Sequence, residues 1–549
     1  MPASLLQSVS WNQAIFSTEA LLVLAFIAVP FRWNSAERVL KHLARHRLAP
    51  LYVGVFALAL RAMVLPIEPI PIPRLDDEFS YLLQADTFLH GRLANPTPPL
   101  WEHFEAFHVD QFPTYASMYP PLGGLVLAAG QLVMRNAFAG VWLSAGVMCA
   151  VLCWALRGWF PPGWALLAGA IAAIRLGMFS YWGDSYWGGA LAAIGGALVF
   201  GSLPRLIRLS RRRDALLAAL GVVILVNTRP YEGSVFSVAV GLVALWHVRK
   251  LRLRTILPVV CAVLVCAGAL MAYYNWRVFG SPTTLPYTLN RRAYAVAPVY
   301  IFQSPRPAPV YRHKEMQTFF TGWELAIYQN ARTREGFAAL AVAKLYWIWS
   351  FFVCPALTLP LLAFPATWRS RRTRILLFVA APVALANAVV PFFQPHYLAP
   401  ATVIFYAMVV QGMRALHRTM PRAVRAIPLV CVAMIGVRLL LTAPLLPDDA
   451  QSPTKTWAGT SHTLRVRENI VDRVLAHGGQ HLIIVHYGPQ HSVHDDYIHN
   501  AADIDASPVI WARDMGTEKN AELLRYFSSR RVWWLDVDTD PKLSSYPPP

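Results

Sequence analysis

Three consecutive carboxylates, Asp76-Asp77-Glu78, follow an apolar run that ends near Ile67. Acids at the mouth of a hydrophobic segment are expensive to place, and a membrane-embedded enzyme keeps such groups as a general base or as ligands for a cation. Adjacent carboxylates repel one another, so one of them carries a raised pKa or needs a cation beside it. A divalent cation is therefore the one cofactor these residues suggest. The structural alternative is that the acids cap a helix, because a first turn favours them. A cap needs one acid, and three exceed that requirement.

More titratable groups follow at His103, Glu105 and His108, interleaved with Trp101, Phe104 and Phe107. Aromatic faces beside acids suit a sugar, whose C–H faces are apolar and whose hydroxyls need hydrogen bonds. The same aromatics would also serve as an interfacial belt. His103 and His108 are metal-binding types, but their spacing matches no ligand motif. Asp184 is a lone acid between aromatics in Ser180-Tyr181-Trp182-Gly183-Asp184, readable as a site acid or as a solvated turn. Arg229 closes another apolar run. Its guanidinium could hold a phosphate bidentately, or pair with Glu232. His396, in Gln394-Pro395-His396-Tyr397, could donate to a lipid phosphate or anchor an interface. The late tract His486, His491, His494, Asp495, Asp496 and His499 fits no metal spacing and reads as a His-rich polar loop.

The elements that must position these groups are membrane helices. The 549 residues are 56% hydrophobic and 14% charged, against the roughly 25% charged expected of a soluble chain. Apolar runs of spanning length fall at 15–32, 49–66, 118–135, 138–156, 164–181, 187–204, 214–230, 233–247, 255–275, 341–364, 375–393, 397–413 and 427–444. The first is followed by further runs and lacks a cleavage pattern, so it reads as a helix. The net charge of +19 is spread as basic bursts between those runs, at 32–47, 205–213, 249–254, 369–374 and 414–425. That is the pattern of cytoplasmic loops, with some arginines free to touch lipid headgroups, and it does not call for nucleic acid.

Placing the bursts inside puts 67–117, Arg229, 276–340, the 391–400 turn and the C-terminus outside. An odd number of crossings must then fall between 118 and 204, where four runs stand, so one of the four does not span. The expected fold is a polytopic α-helical membrane domain of about 11–13 helices over 1–444, followed by a small extracytoplasmic α/β domain over 445–549. In that second domain a linker to Ser461 leads to a helix over 463–477, a strand over 481–487, a helix near 517–529 and a strand over 531–538. A helix over Glu78–Gly91 is expected to lie in the headgroup layer on Tyr81, Leu82, Ala85, Phe88 and Leu89. All six cysteines fall within apolar runs and read as buried.

Asp77-Glu78-Phe79-Ser80-Tyr81-Leu82-Leu83 resembles the Asp-Glu pair of the GT-C superfamily of membrane glycosyltransferases, in its protein mannosyltransferase and aminoarabinose transferase branch. Tyr119-Pro120-Pro121-Leu122 resembles that family's later Tyr-Pro-Pro-Leu, and His396-Tyr397-Leu398-Ala399-Pro400 its Arg-Tyr-Leu-x-Pro, with His in place of Arg. The likeness covers about 49–413. It implies transfer of a sugar from a polyprenyl-phosphate donor to a glycan, lipid or protein acceptor, with inversion, on the outer face of a plasma (inner) membrane. In that reading Asp77 is the general base. Glu78, Asp76 and Asp184 orient the acceptor or hold a cation, with His103, Glu105 and His108 in support. Arg229 neutralises the leaving phosphate, with His396 and Tyr397 beside the donor. The competing class is an ion-coupled transporter or lipid-linked-glycan flippase using the carboxylates as a relay, which would place acids near the bilayer midplane.

Overall fold

A computed structural model describes residues 3–29, 34–445, 456–458, 465–538 and 542–547. The chain gathers into two compact units, neither continuous in sequence. The first comprises Met1–Pro71, Phe138–Gly268 and Thr333–His462, and the second Ile72–Ala137, Ala269–Arg332 and Thr463–Pro549.

The first unit is helical. Each expected crossing within it coincides with a helix. Phe138–Leu156, Ala190–Leu209, Leu253–Phe279, Arg334–Thr367, Pro395–Thr419 and Pro421–Leu440 are each long and apolar enough to cross a bilayer, and Asn12–Ala28, Pro162–Arg175 and Pro230–Trp246 are shorter apolar helices. Close contacts are made through small residues: a side chain on Gly412 would run into the Pro360 carbonyl, and one on Gly196 into that of Pro400. Loop ends segregate within the unit. On one side Arg157 donates to the His46 carbonyl (3.0 Å), Arg208 to the Gly158 carbonyl, and the Arg252 amide to Ser210 Oγ (3.1 Å). On the other, Arg61 meets Asp184, and the Tyr186 hydroxyl donates to the Pro71 carbonyl (3.1 Å). The basic bursts thus share one set of helix ends, and Asp184 belongs to the opposite set.

Several buried charges of this unit are paired, while Lys344 donates to the Asn387 (2.8 Å) and Val390 (2.5 Å) carbonyls. Arg175 and Glu19 meet at 2.8 Å, both fully buried, and Arg438 meets Glu68 at 3.0 Å. The cysteines depart from expectation. Cys149, Cys153, Cys354 and Cys431 are buried, but Cys261 and Cys266 are exposed, because the helix that carries them, Leu253–Phe279, is almost unburied along its apolar length.

The second unit takes its residues from the two long loops and the C-terminal segment, so the units do not divide at a boundary near 444. The expected linker to Ser461 lies outside the described residues, apart from 456–458. Strands β1 (Val109–Asp110) and β2 (Ala116–Ser117) pair antiparallel. Strands β3 (His481–His486), β4 (Val509–Arg513), β5 (Arg531–Asp536) and β6 (Lys542–Ser545) form a sheet of order β4-β3-β5-β6, parallel except for β5–β6. Helices Val466–Leu475 and Thr517–Tyr526 accompany it. Leu83, Phe104, Ala106, Val109 and Tyr115 share one core with Leu482–Val485 of β3 and Ile510–Ala512 of β4. That shared core is the physical reason the C-terminal segment is not a separate body from loop 67–117.

Candidate active site

The acidic triplet opens helix Asp76–Leu89, which Gly91 ends in the left-handed conformation (φ 69°). Its buried face shares only Ala85 with the apolar set expected from the sequence. Ser80, Leu83, Gln84 and Thr87 turn inward instead. The polar members are matched by hydrogen bonds. Ser80 donates to the His108 carbonyl (2.7 Å) and Gln84 Nε2 to that of Tyr119 (2.9 Å), while the Gly124 amide donates to Gln84 Oε1 (3.1 Å). Gly124 lies in the first turn of the partner helix Pro121–Met134, and a side chain there would overlap Gln84.

The three acids have different surroundings. Glu78 is buried, and its Oε2 accepts from the backbone amides of Arg74 (2.9 Å) and Leu75 (3.2 Å), which makes it the acid that closes the helix start. Asp76 faces the C-terminal segment, with Oδ1 3.5 Å from His499 Nε2. Burial, then the Asp496 and Asp77 charges, hold the Asp76 carboxyl well above its usual range. Asp77 is the most open of the three at 24% exposure. Its Oδ1 accepts from the Tyr119 hydroxyl, and its Oδ2 lies 3.7 Å from His108 Nδ1. Tyr119 is itself fixed by stacking on Tyr81, ring centroids 4.4 Å apart. Burial depresses the His108 pKa, against the opposing pull of the Asp77 carboxyl beside it.

The other expected loop residues divide. His103 is buried and bonded through Nδ1 to the Arg513 carbonyl (2.9 Å), and burial lowers its pKa. Glu105 accepts from the Tyr294 hydroxyl (2.8 Å) and is raised by burial. Phe104 and Phe107 are core residues, which leaves Trp101 as the aromatic of that trio with an accessible face.

His499 and Asp496 are not part of a solvated His-rich loop. The His499 ring stacks on Phe79 with centroids 3.8 Å apart, and burial lowers its pKa to about 3. Asp496 pairs with Arg513 at 2.6 Å and accepts from the Tyr487 hydroxyl at 2.5 Å. Arg513 also donates to the Glu105 carbonyl (2.9 Å), tying β4 to the loop. Sequence reasoning missed Tyr119, His499 and Arg513 as site residues. The one available signal for Arg513 was a lone charge ending the buried run Val509-Ile510-Trp511-Ala512.

Asp184, Arg229, His396 and Tyr397 belong to the first unit. Asp184 is engaged by Arg61 Nη2 at 2.7 Å, so it is not a solvated turn acid. The Arg229 guanidinium lies over the Tyr397 ring, 4.7 Å from its centroid. His396 is buried. Its backbone amide donates to the Tyr181 hydroxyl (3.0 Å), whose oxygen also lies within hydrogen-bond distance of His396 Nδ1 (2.8 Å).

The fold is that of a multi-pass helical membrane protein with a small sheet-containing globular part. No family model matches the chain, and neither does any curated protein. Among solved structures it is similar to the crystal structure of the Archaeoglobus fulgidus oligosaccharyltransferase in complex with Zn and sulfate, at 10% identity over 89% of this chain and 68% of that one, with a TM-score of 0.48. The apo form of the same enzyme gives 10% identity, 79% and 62% coverage, and a TM-score of 0.42. The likeness singles out no branch of the superfamily that the motifs resemble. At TM-scores below 0.5 the likeness does not bear on the chemistry, which rests on the side chains.

Proposed function

We propose that the protein is a membrane glycosyltransferase of the GT-C type, moving a sugar from a polyprenyl-phosphate donor to an acceptor hydroxyl with inversion, and that Asp77 is its general base. The observation that carries this reading is the division of labour in the triplet. Glu78 is spent on the helix start and Asp76 faces His499, while Asp77 is open and oriented by Tyr119. The Asp77 carboxylate takes the acceptor's hydroxyl proton as the acceptor oxygen bonds to the anomeric carbon. The bond from that carbon to the phosphate oxygen breaks, and polyprenyl phosphate leaves with the electron pair. Within the helical unit Arg229, whose guanidinium lies over Tyr397, is the group proposed to hold a phosphate.

Among the described residues no three His, Cys, Asp or Glu groups converge as a metal cage. Of the three acids Asp77 is the one open enough that it would hold a hard cation. When bound, such an ion would neutralise phosphate charge.

Helix Pro121–Met134 is the proposed non-spanning member of the four runs between 118 and 204. Its 14 residues give a length of about 21 Å, short of the ~30 Å hydrocarbon core; Pro162–Arg175 is equally short, so the choice between them rests on packing. Pro121–Met134 packs on the acid-bearing helix within the second unit. Removing it from the count makes the parity odd and puts the triplet, Arg229 and the C-terminal segment outside.

The test is reconstitution of the full chain in lipid with a polyprenyl-phosphate hexose. Asp77→Asn should abolish transfer while the melting temperature stays within a few degrees of the parent. Undiminished transfer by this variant sinks the assignment.

A further inference from the structure

In the helical unit, the helix ends that carry the basic bursts gather arginines around one phenyl ring. Phe160, buried, follows helix Phe138–Leu156. The Arg372 guanidinium lies 4.5 Å from its ring centroid and that of Arg414 5.9 Å, so two half-buried cations share one ring. Arg208, exposed near the end of helix Ala190–Leu209, donates to the Gly158 carbonyl two residues before that ring. Arg208 and Arg414 are the like charges that bear on Arg372.

These guanidiniums meet neutral groups. Arg372 donates to Gln411 Oε1 (3.2 Å), and Arg208 to the Pro204 carbonyl (3.1 Å) as well as to that of Gly158. Among the described residues no carboxylate pairs with Arg208, Arg372 or Arg414; the acid of this neighbourhood, Asp214, pairs with Arg213 at 3.8 Å. The deeper arginines of the same unit, Arg61, Arg175 and Arg438, each have an acid of their own. Three like charges drawn together without an acid repel one another. A basic loop that only sets topology has no need to converge its arginines on a buried ring.

The helix that carries Arg372 points the same way. Arg371–Ala388 is 18 residues long, its first turn holds Arg371, Arg372 and Arg374 but no acid, and its N-cap Ser370 makes no side-chain bond to the first amides. Cations at a helix N-terminus oppose the macrodipole, whereas an anion there is favoured by both the dipole and the open amides. An anion at the start of this helix, within reach of Arg372, Arg414 and Arg208, answers both features.

We propose that this end of the helical unit binds the phosphodiester headgroup of an anionic phospholipid, with Arg372 and Arg414 as its paired donors and Arg208 at its rim. Guanidinium suits phosphate because it can donate two parallel hydrogen bonds. A lipid headgroup is favoured over soluble phosphate because the arginines stand at the ends of membrane-crossing helices, the depth of the lipid phosphates, where basic pockets between helices take anionic headgroups. Leu209, 47% exposed beside Arg208, offers apolar surface to an acyl chain. Nothing in this site depends on the transferase reading.

The test is the melting temperature of the full chain in non-ionic detergent, titrated with dioleoyl phosphatidylglycerol, with dioleoyl phosphatidylcholine or with millimolar inorganic phosphate. Phosphatidylglycerol should raise it above the other two, with a saturable midpoint. Arg372→Gln/Arg414→Gln should shift that midpoint about thirtyfold to higher lipid, and Arg208→Gln, at an exposed residue, about fivefold. The charge-matched control Arg45→Gln/Arg47→Gln, on exposed residues of another burst, should leave it unchanged. Equal midpoints for the parent, Arg372→Gln/Arg414→Gln and Arg208→Gln overturn the site. An equal loss in the control reduces it to general surface charge, and stabilisation by inorganic phosphate matching that by phosphatidylglycerol overturns the lipid assignment.

Discussion

Asp110 shows what burial does to a single acid in this chain. Its carboxyl is 2% exposed, and desolvation pushes its pKa up to about 7 from an ordinary 3.8, against the opposing hydrogen bond from Asn290. The native state then holds this proton more tightly than the unfolded chain. The associated stability is complete below pH 4 and is lost as pH rises toward 7, by at most about 4 kcal/mol at ~1.4 kcal/mol per tenfold change in proton affinity. Asp110→Asn should therefore flatten the dependence of melting temperature on pH between 4 and 8, with the variant gaining on the parent at the alkaline end. A parent and variant with parallel profiles would mean that this carboxyl is ionised in the folded protein. At this scale the triplet could be read from the sequence as a site, but not the task of each member. The backbone amides that take Glu78 are local, three and four residues away. His499 reaches Asp76 from a segment more than 400 residues later, and no local pattern encodes such a contact.

The helices were legible because long apolar runs have few other folded outcomes, and Gly91 and Thr333 mark helix ends by their chemistry; Thr333 Oγ1 accepts from the Gly336 amide at 3.0 Å. Strands β1, β2, β4 and β6 were not anticipated, being short and paired with residues remote in sequence. Arg175 could be read as a charge inside a span, yet its partner Glu19, on the first helix, could not. That pair, with Arg61–Asp184 and Arg438–Glu68, leaves these charges matched within the helical unit, which disfavours a mobile-ion relay through them. Breaking such a pair strands a buried charge. Glu19→Leu should destabilise the protein by about 3–5 kcal/mol, and the double substitution Glu19→Leu/Arg175→Met should recover most of it, since a packed apolar pair removes both desolvation penalties. The thermal melts of the two variants in lipid check this. A double variant no better than the single would show that the pair is needed for more than charge balance.

The two long loops and the C-terminal segment make one unit and the long apolar helices another, an arrangement the linear sequence obscures because the chain passes between the units repeatedly. Within the helical unit the loop ends at Arg157 and His46 meet, and Asp184 lies at the opposite ends. What the sequence left open was which of four apolar runs fails to cross, and the answer depends on a packing partner, not on hydropathy. Helix Pro121–Met134 is as apolar as its neighbours, but it turns Gly123 and Gly124 against Tyr81 and Gln84 of the acid-bearing helix. If it does not span, residue 135 lies on the same side of the membrane as residue 93, and residue 163 on the opposite side. Single cysteines at these positions in a cysteine-free background (Leu93→Cys, Arg135→Cys and Gly163→Cys) separate the alternatives with a membrane-impermeant maleimide applied to intact cells. Leu93 is exposed; Arg135 is exposed and already left-handed (φ 56°), so the cysteine adds no new backbone strain, and Gly163 has open space at its Cβ position. Labelling of residues 93 and 135 but not of 163 is expected. Labelling of 93 and 163 with protection of 135 would make Pro121–Met134 a crossing helix, and would require one of the later three runs to be the surplus one.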